Sequence, residues 1–332
     1  MPALHLCGFR RPNMSKCNCC TVAGCRRLMV GMTFVVAGVY LGVMLNHYGV
    51  IFEHIDIDLH IDDALNDGGG PMRSRGNESA FVVPNIVHFI WFGTDKKMTF
   101  IHYISILSAH KMQRPDVIFF HCDHLPVGVW WQRLWRRVPL KLVHREAPRY
   151  IHNQTLMHMY HRADVAKLQI LMEYGGIYLD YDVIVLRSMD PLRKYDVTLG
   201  KEKPPKFIAG IIVARRNAVF LRLWYNSYRN NYRQLDWDYN CARVTYQLYL
   251  KRPDLVHVES YRLTTPDWQD RRKLWKEVIA WRDLYVIHAM LHFDRTEYTP
   301  ENVRQLNSTF GEVVRYIYYG SPKILQSQSS RN

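Results

Sequence analysis

The sequence predicts an α/β domain with a mostly parallel sheet covered by helices, preceded by a single N-terminal transmembrane helix. Three observations carry this. From Phe81 onward, apolar β-branched runs of strand length alternate with amphipathic runs of helix length. Those strand runs are apolar nearly throughout, the mark of strands buried on both faces. Far upstream, Leu28 to Leu45 is an uncharged stretch of 18 residues, long enough to span a bilayer.

Residues 1–27 contain Arg10, Arg11, Lys16, Arg26 and Arg27 and no acid. The positive-inside rule therefore makes them a cytosolic tail, with 28–45 as the signal anchor and everything after it lumenal. A cleaved signal peptide fits less well, because the apolar core and the amino flank are too long and no clean small-x-small site follows. A buried soluble helix is the other alternative. Cys7, Cys17, Cys19, Cys20 and Cys25 fall in the tail, where S-acylation, reduced thiols and a zinc site all stay open. Residues 46–80 form a lumenal stem, first acidic (Glu53, Asp56, Asp58, Asp62, Asp63, Asp67, Glu78) and then glycine-rich. Asn77, Asn153 and Asn307 open N-glycan sequons, which suits lumenal exposure. Beyond the membrane the chain has only Cys122 and Cys241, and an oxidising lumen allows one disulfide between them.

The domain itself covers 81–325, with a polar tail at 326–332. Asn85 to Trp91 reads as the first strand, Ile101 to Lys111 as a helix and Asp116 to Cys122 as a second strand. Pro126 to Arg137 is a Trp-rich basic helix or loop, and Leu140 to His144 a short strand. Phe207 to Ala214 is a further strand and Ala218 to Asn230 a further helix. Ligands of such sheets lie beyond the carboxyl ends of the strands.

The stretch Ala163 to Leu192 sits at the centre. Val165, Leu168 and Leu171 form a helical stripe over Asp164 to Tyr174, with Asp164 favouring the N-terminus and Gly175-Gly176 supplying the stop. Ile177 to Leu186 then reads as one buried strand containing Asp180 and Asp182. In extended chain the two acids project to the same side, with Cα atoms about 7 Å apart. Burying an unpaired carboxylate costs several kcal/mol, so the pair needs partners. Two hard oxygen ligands side by side suit a divalent cation carrying a phosphate. The bland alternative is a strand end where both acids meet water.

RADVAKLQ, EYGGIYLDYDVIVL and MDPL, together with VPNIVHFIWFG at 83–93, resemble the DxD-containing glycosyltransferase sugar-binding family. That family includes α1,4-galactosyltransferases, α1,4-N-acetylglucosaminyltransferases and yeast-type α1,6-mannosyltransferases. The resemblance covers roughly Val83 to His292 and implies the GT-A fold. It also implies transfer of a sugar from a nucleotide sugar, UDP-linked, to a glycan hydroxyl on a glycolipid or glycoprotein, with retention of configuration. By the same resemblance, Asp182 coordinates Mn2+ (or Mg2+) directly, and Asp180 contacts the ribose and the metal's water shell. Trp91 stacks on the uracil, with a packed core tryptophan as the alternative. Asp164 and Lys167 bind hydroxyls of the donor sugar, although relatives carry Arg where this chain has Lys167, which loses the planar fork. Gly210 allows close backbone approach, although Ala209 replaces a usual Asn. His288, ending a strand-like run where the family carries an I-H element, is the candidate third metal ligand, with His292 in reserve and a hydrogen-bonded strand-end histidine as the alternative. Trp237 to Asn240 lies where relatives build the acceptor side, with Asp236 or Asp238 as candidates to face the acceptor, and a plain loop is the favoured alternative.

The formal net charge is +14. We discount nucleic acid, since a lumenal domain meets no genome and no basic repeat or nucleic-acid module is recognisable. A nucleotide diphosphate, acidic glycans or a membrane surface account for a basic face. The resulting expectation is a Golgi type II membrane enzyme. The alternative is a catalytically degenerate glycan-binding or scaffolding protein of the secretory pathway on the same fold. A glycoside hydrolase would need two carboxylates placed across the bond, and the motifs oppose it.

Overall fold

The structure, a computed structural model, describes residues 81–203, 206–294 and 296–325. The expected tail, anchor and stem, with Asn77, and the polar tail at 326–332 lie outside the described residues. Among those described, no helix is long and apolar enough to cross a membrane.

The chain opens with β1 (Ile86–Trp91), α1 (Phe100–Ser108), β2 (Val117–Cys122), α2 (Val129–Arg137) and β3 (Leu140–His144). A small hairpin follows, β4 (Tyr150–Ile151) with β5 (Gln154–Thr155), and then α3 (Met159–Tyr174), β6 (Gly176–Leu179) and β7 (Val183–Val185). Next are β8 (Val197–Glu202), β9 (Lys206–Ala214), α4 (Val219–Asn231), α5 (Val244–Lys251) and β10 (His257–Val258). The chain ends with α6 (Lys273–Lys276), β11 (Val286–His288), α7 (Pro300–Val303) and α8 (Thr309–Tyr319).

Seven strands form the main sheet in the order β10-β8-β9-β6-β1-β2-β3. β3, β2, β1 and β6 are mutually parallel, β9 runs antiparallel to β6 and β8, and β10 is parallel to β8. The mostly parallel expectation therefore holds, with β9 as the reversed strand. Both faces are buried, as the continuous apolar strands imply. Val87, Phe89 and Trp91 of β1 join a core with α1, β7, β11 and α8, while Ile90 and Phe92 join a second core with α3, α4 and α5.

Two expectations are corrected. The central helix starts at Met159 rather than Asp164, so Asp164 sits in its second turn and is buried. Nor is Ile177 to Leu186 one strand. The chain leaves the main sheet after Leu179, turns through Asp180 to Asp182, and re-enters as β7, which pairs antiparallel with β11 in a separate two-stranded sheet. The period-two pattern is blind to this break, because residues on both sides of it are buried.

The turn ahead of β6 is built from glycine. Gly175 and Gly176 have φ of 68° and 111°, and a Cβ on them would lie 2.6 Å from Arg216 N and 2.6 Å from Ile86 O respectively. His88 fixes that turn from below. Its Nε2 lies 2.8 Å from Gly175 O, and a carbonyl only accepts, so Nε2 carries the proton. Nδ1 then accepts from His121 Nε2 at 3.1 Å.

Candidate active site

Asp180 and Asp182 stand on the turn between β6 and β7, not on one extended strand. Asp180 continues the β6 ladder through its N–H to Gly210 O at 2.8 Å, and Asp182 O accepts from Ala289 N at 2.9 Å. Each carboxylate is thus tied by its own backbone to a different sheet. β7 is held in turn by α1, where Ser105 Oγ donates to Val183 O at 2.6 Å and Ser108 Oγ accepts from Val185 N at 2.8 Å.

β11 pairs His288 with Val183, which brings the imidazole to the acids. His288 Nε2 lies 3.0 Å from Asp182 Oδ1 and 3.9 Å from Asp180 Oδ2. Ligand atoms of Asp180, Asp182 and His288 all fall within 4.8 Å of one another. Leu291 N–H donates to Asp182 Oδ2 at 3.0 Å, so both oxygens of this buried carboxylate are engaged. Burial opposes the Asp182 charge, but His288 and the Leu291 amide outweigh it and hold the carboxyl down to about 2. Burial likewise opposes the His288 charge, yet Asp182 and Asp180 push that imidazole up to about 9. A proton on His288 thus occupies the electrostatic place a cation would take. The donor set of two carboxylates and one imidazole fits a divalent ion such as manganese or magnesium.

Asp164 and Lys167 are brought to the same place, from beneath. Both are buried, and Lys167 Nζ lies 2.8 Å from Asp164 Oδ1, 3.1 Å from Ala209 O and 3.8 Å from Asp180 Oδ1. Burial works against the ammonium, but Asp164 and Asp180 more than restore it and raise its pKa. Tyr178 Oη donates to Asp180 Oδ1 at 2.6 Å. Asp180 therefore rests on a charged floor, and Lys167 and Asp164 form an intrahelical salt bridge buried beneath it. Gly210 is the close approach: a Cβ there would meet Asp180 Oδ2 at 2.7 Å and His288 Cε1 at 2.9 Å.

Two site expectations fail. Trp91 has no exposed surface and packs against His102, Phe120 and Tyr181, because the alternation of β1 points it at α1. It has no free face for a base. Cys122 and Cys241 are free buried thiols in different cores, and the Cys241 thiol contacts Asp164 instead. The sequon residues Asn153 and Asn307 are exposed, Asn153 at the β4–β5 hairpin tip. His292 is exposed and is not among the three converging ligand residues. Of the acceptor-side run, Trp237 is exposed, while Asp238 is buried and paired with Lys206 and Arg243. Asp236 also pairs with Arg243, at 2.8 Å. Sequence reasoning missed Tyr178, although it lies within the motif two residues before Asp180, and missed Glu202 and Trp268, which reach the site region from separate segments with no local signature.

The two carboxylates and the histidine meet just beyond the carboxyl end of β6, a central strand of the sheet, where α/β sheets place their ligands. Residues 107–198 match the family described as glycosyltransferase sugar-binding region containing DXD motif. Residues 107–198 thus carry the sugar-binding region of the DXD-containing glycosyltransferases. The chain is 28% identical over 271 residues to glucan organizing enzyme 1 of Cryptococcus neoformans var. grubii serotype A, spanning 74% of this chain and 73% of that protein. A 43-residue segment is 49% identical to inositol phosphoceramide mannosyltransferase 3 of Schizosaccharomyces pombe, but spans only 12% of that protein. The apo-form glycosyltransferase GlyE of Streptococcus pneumoniae TIGR4 aligns over 70% of this chain and 60% of that one, at 12% identity and a TM-score of 0.44.

Proposed function

We propose that this glycosyltransferase is divalent-metal-dependent and moves a sugar from a UDP-linked donor to a hydroxyl of a glycolipid or glycoprotein glycan, with retention of configuration. The observation that supports it is the convergence of Asp180, Asp182 and His288 on one point at a strand break. A cation bound there, manganese or magnesium, would neutralise the charge that develops on the departing diphosphate. The residues do the rest. Asp182, held by the Leu291 amide, and His288, through a deprotonated Nε2, would be the residues that hold the ion. Lys167 and Tyr178 keep Asp180 in place from beneath. Gly210 leaves the space that a side chain would fill. A phosphate oxygen of the leaving nucleotide takes the acceptor proton on the face the nucleotide departs from, which gives retention. UDP-galactose, UDP-N-acetylglucosamine and GDP-mannose are the donors to compare. As part of the same proposal, residues 28–45 anchor the protein in the Golgi membrane with the domain lumenal.

The test is titration calorimetry of the full chain with UDP, and in parallel with GDP, with and without manganese. We expect UDP binding that requires the metal, and its loss by about 100-fold or more in Asp182→Asn with the fold unchanged by circular dichroism. Metal-independent binding would overturn the metal mechanism. Binding of neither UDP nor GDP, with or without the metal, would favour a degenerate glycan-binding protein.

A further inference from the structure

An aromatic wall stands beside the Asp–Asp–His centre. Trp268 is its middle member, with ring centroids 4.5 Å from Phe293, 5.7 Å from Trp237 and 6.4 Å from His292. Trp237 and Phe293 keep 47% and 45% of their surface exposed, and His292 is exposed beside them. The wall is braced at both ends. At one end Leu291, immediately before His292, gives its amide to Asp182. At the other, the Trp268 amide bonds the buried Glu202 carboxylate. Lys206 Nζ lies 3.8 Å from Glu202 and 3.1 Å from Asp238, and 5.2 Å over the Trp268 ring. Arg271 covers the same ring at 4.3 Å. Exposed rings are common, but rings locked by buried ion pairs and sharing a backbone segment with a metal cradle make a preorganised surface.

We infer that this wall is the acceptor subsite and takes a neutral pyranose ring of the acceptor glycan. The inference rests on the transferase reading above. A pyranose has an apolar C–H face and a rim of hydroxyls, so a half-exposed aromatic surface with a guanidinium at its edge matches both parts. Glu202, Asp236 and Asp238 balance Lys206, Arg243 and Arg271, so the wall offers ring surface rather than net charge, which favours a neutral sugar over an acidic one. A nucleobase would also stack, but it belongs to the donor, and the measurement separates the two.

The experiment is saturation-transfer NMR on the full chain in detergent, loaded with UDP and magnesium, with mannotetraose, maltotetraose and chitotetraose as probes. Trp237→Ala and Phe293→Ala alter exposed side chains, and Phe293→Tyr is the conservative control. We expect saturation of pyranose C–H protons of at least one probe in the wild type. That signal should drop at least fivefold in both alanine variants and persist in Phe293→Tyr, with UDP affinity within twofold of wild type throughout. Equal signals in wild type and alanine variants, no probe bound by the wild type, or a loss of UDP affinity in the variants would each overturn the inference. Failure of the wild type to bind UDP would instead overturn the transferase reading on which it rests.

Discussion

Gly210 decides whether two carboxylates and an imidazole can share one small volume. It sits mid-strand in β9, and a methyl group there would press on Asp180 Oδ2 and His288 Cε1 at once. Gly210→Ala should therefore lower metal-dependent UDP affinity at least about tenfold, at a stability cost of about 1–3 kcal/mol. Calorimetry and urea unfolding check the two halves separately. Lys167 acts at the same scale from below. Lys167→Met leaves Asp164 buried without its cation, which should cost about 3–5 kcal/mol in urea unfolding, and adding Asp164→Asn should recover much of it. Asp180, Asp182, Gly210 and His288 were legible in the sequence because motif and chain order carry them. The burial of Trp91 was not, since a tryptophan closing a strand reads the same whether its face is open or covered.

At the scale of elements, the site depends on a strand of three residues, Val183–Val185. β7 is too short to stand alone, and its free edge faces α1 rather than another strand. Ser105 and Ser108 supply the hydrogen bonds a neighbouring strand would have made. Ser108→Ala removes the acceptor for the buried Val185 amide and should cost about 1–3 kcal/mol, read by urea unfolding. Ser105→Ala should cost a similar amount. The existence of β1, β2, β3, β9, α1 and α4 was readable from apolar runs, with boundaries shifted by at most three residues, whereas α3 starts five residues before its expected start and α5 to α8 were not anticipated. The break at Asp180–Asp182 was not. It is imposed by β11, about a hundred residues downstream, and pairing partners that distant leave no trace in a local window.

At the scale of the whole molecule, titrating groups pull stability in opposite directions with pH. Burial lowers His88 to about 4 and His121 to about 3. An unfolded histidine takes a proton below about 6.5, so the folded state binds fewer protons there and loses stability as pH falls from 6.5 towards 4. The His88 contribution alone amounts to about 3 kcal/mol. His288 has the reverse sign. Its folded value of about 9 lies above the unfolded one, so its contribution is complete below about 6.5 and fades as pH rises through 9. Thermal unfolding between pH 4 and 9 should therefore peak near neutrality, and a flat profile would contradict the buried His88–His121 pair. The turn that carries the two acids has one more consequence. Asp180 is fastened to the larger sheet and Asp182 to the smaller, so neither half of the polypeptide possesses the centre by itself. During folding, capture of a divalent ion should come last and should report assembly of the two pieces into one body.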